Sequence, residues 1–166
     1  MHNIKYIAST SVLVLILDNT ASGGQEAEID GPLLERLWMA IGVPSRLAKI
    51  QNVTITGTVV GAKPHVTSDG DMVFALKPDE PYKEIVNIHN MSQSKMANGI
   101  WVEAVCQGPN QSQQSWHVGD CAKGGPFPKF PLPNLGDRLR ITGTYAIDIR
   151  EGGHAEIHPV SRITKI

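Results

Sequence analysis

The sequence predicts a mainly β protein: a small closed barrel of five short strands, preceded by a short helix and carrying one disulfide-pinned loop. Three observations carry that expectation. Aromatic residues make up only 5 % of the 166 residues, while 16 glycines and 11 prolines punctuate the chain. That balance favours short strands and many turns over long packed helices. Strand-like stretches, β-branched from Val53 and apolar or alternating elsewhere, begin near Val53, Met72, Ile100, Arg138 and His154, each separated from the next by turn-forming residues. Two of the separators, Thr67-Ser68-Asp69-Gly70-Asp71 and Asp148 through Gly153, have hairpin composition.

From the N-terminus, Met1 to Gly24 read as an export signal. Lys5 supplies the positive start, Ile7 to Leu17 the apolar stretch, and Thr20-Ala21-Ser22 the small residues before cleavage. The apolar stretch is far short of the ~20 residues a spanning helix needs, and Asp18 closes it. No membrane span is therefore expected once the signal is removed, and the location expected is periplasmic or extracellular. Residues 25–52 read as a linker with a short amphipathic helix over Pro32 to Ile41, in which Leu33, Leu34, Leu37, Trp38 and Ile41 recur at helical spacing. Residues 53–166 form the barrel domain.

Within that domain, Val53 to Ala62 predicts a first strand bent at Gly57 and Gly61. Met72 to Leu76 is the second strand, Pro81 to His89 a short helical closure, and Ile100 to Cys106 the third strand. Gln107 to Asn134 is rich in Gln, Gly and Pro and predicts an irregular excursion. In an oxidising compartment Cys106 and Cys121 are expected to pair. Closing a loop of about 15 residues stabilises by ~3 kcal/mol in the chain-entropy picture. Arg138 to Ile147 alternates as a fourth strand, with Leu139, Ile141, Gly143, Tyr145 and Ile147 on one face, and His154 to Ile163 is the fifth.

This order of strands, hairpins and excursion looks like an OB-fold domain. The series Asp69-Gly70-Asp71, Trp101-Val102-Glu103, Gly136-Asp137-Arg138, Thr142-Gly143-Thr144-Tyr145 and Glu156-Ile157-His158-Pro159-Val160 is also similar to a group of bacterial secreted proteins of unassigned function. The resemblance spans Val53 to Ile163 and implies export and the barrel fold, with no activity to transfer. Gly152-Gly153-His154 stands where members carry His-Gly-Trp.

The formal net charge of −1, without a cluster of Lys and Arg, disfavours nucleic acid. In OB domains the loops joining strands 1–2 and 4–5 flank a ligand-binding face. Here they bring carboxylates, Asp69 and Asp71 from one and Asp148 and Glu151 from the other, which suit a cation, a sugar hydroxyl or a basic protein surface. The same residues are also good turn formers. Trp101 and Glu103 share a strand face, as ring platform and polar group for a ligand or as cover for apolar surface. His154, Glu156 and His158 also share a face, with two readings: a divalent metal site able to support hydrolysis, or a plain polar strand face, exposed or hydrogen-bonded, that Pro159 soon ends. No Ser-His-Asp motif, phosphate loop or CxxC motif is present, and no other cofactor is expected. The leading expectation is an exported binding module for a small or extended ligand or a protein partner. The alternatives are a metal-dependent hydrolase and a secreted inhibitor presenting the pinned loop.

Overall fold

The computed structural model describes residues 47–109 and 129–166. The expected signal, the helix over 32–41 and Cys121 lie outside the described residues. Five strands, β1 (Leu47–Val66), β2 (Met72–Pro78), β3 (Ile100–Ala104), β4 (Arg138–Asp148) and β5 (His154–Lys165), close into a barrel in the order β1-β2-β3-β5-β4. All neighbouring pairs are antiparallel except β3 with β5, which is parallel.

Closure depends on β1 serving two partners. Its first half pairs with β4 as far as Thr58, and from Gly57 onward it pairs with β2. Gly57 is the crossover, and a Cβ there would stand 2.4 Å from the Lys77 carbonyl oxygen. Only glycine admits that approach. The register with β2 then slips between Val60 and His65, around Gly61 at φ 74°. β1 starts six residues before Val53, because β4 offers backbone partners down to Asp148 even where side-chain alternation is weak.

The interior follows the period of two. Ile55, Val59, Phe74, Leu76, Ile100, Val102, Leu139, Ile141, Ala155 and Ile157 form one apolar cluster. Phe130 joins it, and its N–H donates to Gln107 Oε1 at 2.7 Å, so the chain returns from the excursion beside the end of β3. At the opposite edge Arg138 grips Asp79 with both guanidinium arms, at 2.6 and 2.8 Å.

The closure expected over Pro81 to His89 is broken into a 3-10 turn (Glu80–Ile85), one α-helical turn, α1 (Ile88–Met91), and a further 3-10 turn (Ser94–Met96). Asn87 caps α1 by accepting from the His89 and Asn90 N–H groups, and Asn90 returns a bond to the Asn87 N–H. This segment packs on β5, where Asn90 Nδ2 donates to the Ala155 carbonyl at 2.7 Å and Asn90 Oδ1 accepts from the Ala155 N–H at 2.8 Å. The fully buried amide thus stands in for a strand just beyond the short β3–β5 ladder.

Pro159 does not end β5. The strand continues to Lys165, and register shifts on either side of Gly143 absorb the proline opposite β4. A residue without an N–H is tolerated where the ladder is interrupted. None of the helices among the described residues is long and apolar enough to cross a membrane.

Candidate functional site

Alternation that sends Val102 and Ile157 inward sends Trp101, Glu103, Glu156 and His158 outward. Parallel pairing of Trp101 with Glu156 and of Val102 with Ile157 lays those outward side chains in adjacent rows. On the other side, Val73 pairs with Glu103 and Ala75 with Trp101. The outer face of β2, β3 and β5 is therefore one surface built from three distant parts of the chain.

Its apolar half is a small second cluster of Val73, Ala75, Met96 and Trp101. The Lys95 ammonium lies 4.9 Å from the centre of the Trp101 ring, within cation–π range. Beside it runs a groove of about 310 Å³, whose walls include Thr67 and Asp69 from the β1–β2 hairpin, Lys95, Trp101, Glu103, and Glu151 from the β4–β5 hairpin. Both hairpins thus reach one cleft.

Its polar half is buried. His154, Glu156 and His158 are 1 %, 0 % and 3 % exposed, so the exposed form of the expected polar β5 face does not hold, and the face is buried and hydrogen-bonded instead. Glu156 lies between the two rings. Its Oε1 is 3.0 Å from His158 Nδ1, and its Oε2 is 3.4 Å from His154 Nε2. His154 Nδ1 lies 3.1 Å from the Glu151 carbonyl oxygen and 3.4 Å from Gln93 Nε2.

Burial opposes charge on each of these groups, and the neighbours overcome it. In Glu156, His154 and His158 outweigh burial and hold the carboxyl down at about 2. In His158, Glu103, then Glu156 and Asp71, outweigh burial and raise the ring to about 9. In His154, burial is outweighed by Glu156 and the Glu151 carbonyl, and the ring is raised. At neutral pH the row is a Glu156 carboxylate against a protonated His158, with the His154 ring on its other side.

The three residues read as metal ligands are therefore neighbours, but they form a chain rather than converging on a point. The group that does converge among the described residues is Asp71, Glu103 and His158, each with a ligand-capable atom within 4.8 Å of the others. Asp71 is fully buried, and its Oδ1 accepts from the Cys106 N–H at 2.8 Å. That bond holds Cys106 at φ 58°, where a residue other than glycine is uncommon.

The remaining expected residues separate. Asp69 lines the groove and accepts from the Thr67 hydroxyl. Asp148 is fully buried inside its turn, where Oδ1 accepts from the Arg150 and Glu151 N–H groups at 2.9 and 2.8 Å. It shapes the hairpin, and Glu151 is the residue that reaches the groove. Sequence reasoning did not single out Asn90, Gln93 or Lys95. The Asn87-x-x-Asn90 spacing was the available signal for the first of these. Comparison with protein-family models, curated proteins and solved structures found no match for this chain.

Proposed function

We propose that this chain is an exported binding module of the OB type that takes a short polyhydroxylated ligand, such as an oligosaccharide, in the groove between its two hairpins. The observation that carries the reading is the cleft itself, where Asp69 and Glu151 from different hairpins face Lys95, Trp101 and Glu103. The closed order β1-β2-β3-β5-β4 with parallel β3 and β5 supports the OB assignment. In that fold the second and third strands and these two loops form the ligand face. Three carboxylates against one ammonium favour hydroxyl donors over phosphate esters. The largely buried Trp101 indole, with the Lys95 ammonium over it, contributes an apolar edge to the groove wall.

Export and the Cys106–Cys121 pairing belong to the same reading. The N-terminal apolar stretch supports the first; a buried Cys106, with no free cysteine among the described residues, supports the second. Titration calorimetry against a panel of oligosaccharides, oligonucleotides and basic peptides tests the ligand class. Oligosaccharide binding that weakens at least about tenfold in Trp101→Ala and Asp69→Asn, roughly the loss of one good contact, supports it. Silence across the sugars, or tighter binding of oligonucleotides, overturns it.

A further inference from the structure

The outer face of β2, β3 and β5 gathers two carboxylates and one imidazole around a single point. Asp71 closes the β1–β2 hairpin, Glu103 lies near the end of β3, and His158 lies midway along β5. One oxygen or ring nitrogen of each is within 4.8 Å of the other two. Asp71 and His158 are buried and Glu103 is half-buried. His158 Nδ1 lies 3.0 Å from Glu156 Oε1 and 3.8 Å from Glu103 Oε2, and its Nε2 is buried with no hydrogen-bond partner. A desolvated ring nitrogen left unpaired is costly and calls for a partner.

We propose that Asp71, Glu103 and His158 bind one divalent transition cation, zinc or manganese, with His158 supplying the nitrogen ligand and Glu156 orienting the ring. The donor set points to that class. Two carboxylates match the charge of a divalent ion, and an imidazole beside them selects against calcium and magnesium, which take oxygen alone.

The spacing suits this role after a small contraction. A triangle with 4.8 Å edges places its centre about 2.8 Å from each corner. Zinc–oxygen and zinc–nitrogen bonds of roughly 2.0–2.2 Å then require each atom to move inward by about 0.8 Å at most. Glu103 also lines the groove, so the ion would have an entry path and a coordination position facing the cleft. Three protein ligands with one open position leave room for a water or a ligand oxygen. The trio differs from the His154-Glu156-His158 row and stands whether or not the groove takes a sugar.

The full-length protein, stripped with EDTA and desalted, is titrated with Zn²⁺ and Mn²⁺ by calorimetry. One equivalent of at least one of the two metals should bind at micromolar concentration or tighter. Glu103→Gln and Asp71→Asn, the second keeping an acceptor for the Cys106 N–H, should each weaken binding by more than the about 10–100-fold typical of an outer-shell change. Glu80→Gln, on an exposed turn, should bind like the parent. Failure of the folded parent to take up either metal overturns the proposal, as does unchanged affinity in both ligand variants. Where a ligand variant does not fold, the Co²⁺-loaded parent decides. A paramagnetically shifted His158 ring resonance without a thiolate charge-transfer band supports the site; an unshifted ring or a thiolate band overturns it.

Discussion

Replacing Asn90 with Ala tests whether one side chain substitutes for a missing strand. Asn90 is fully buried and engages both backbone groups of Ala155, at 2.7 and 2.8 Å. Its Oδ1 also accepts from the Asn87 N–H at 3.3 Å. Alanine leaves a buried N–H and a buried C=O without partners, each costing about 1–3 kcal/mol, so the expected loss is roughly 4 kcal/mol. That is a large fraction of the ~5–15 kcal/mol that holds a typical domain folded. At about 2–4 °C per kcal/mol for a chain of this size, the melting temperature should fall by roughly 8–16 °C. Urea unfolding followed by circular dichroism, with the slope compared between variants, measures the loss directly. Asn90→Asp sharpens the test, since at neutral pH it keeps an acceptor for the Ala155 N–H but sets a charge against the Ala155 carbonyl. It should be no more stable than Asn90→Ala. A loss below about 1 kcal/mol in the alanine variant, within the range of an ordinary surface change, would refute the strand-substitute role.

Gly143→Ala should destabilise by about 1–3 kcal/mol, the usual cost of overpacking, read as a lower urea midpoint; the added Cβ would lie 2.6 Å from Ile157 Cγ2 and 2.7 Å from the Pro159 carbonyl oxygen. An unchanged midpoint would show that this corner of the barrel yields. Asp79 is held down to about 2 from 3.8, first by the Arg138 bond and then by Thr56. A lowered carboxyl stabilises above its unfolded value and loses that contribution as pH falls through its folded one. Asp79→Asn should therefore flatten the stability curve between about pH 4 and 2, while at neutral pH a partly exposed pair contributes no more than about 1 kcal/mol. A parallel acid limb in the variant would place the titration elsewhere. If Cys106 is paired as proposed, dithiothreitol should lower stability by about 3 kcal/mol, and an unchanged intact mass after alkylation without reductant confirms that no thiol was available.

Several features were legible because they are local. The β-branched and alternating stretches, the Asp-Gly-Asp turn and the breaks at Gly57 and Gly61 placed all five strands within a few residues, since alternation and turn chemistry act between near neighbours. The β1 boundary was less legible, because pairing with β4 extends the strand past the point where its own pattern weakens.

The candidate site was legible as residues but not as groups. Alternation alone set Trp101 with Glu103, and His154 with Glu156 and His158, on common faces. It could not say that the two faces adjoin: that needs the parallel ladder between β3 and β5, strands separated by the whole excursion. Nor could it give burial, because a polar row looks the same in the sequence whether water or a neighbouring segment, such as Gln93 beside His154, lies against it. Tertiary structure alone moved Asp71 and Glu103 beside His158, turned Asp148 into its own hairpin and made Asn90 a strand partner for Ala155. Periodicity fixes which way a side chain faces; only closure of the barrel fixes what it faces.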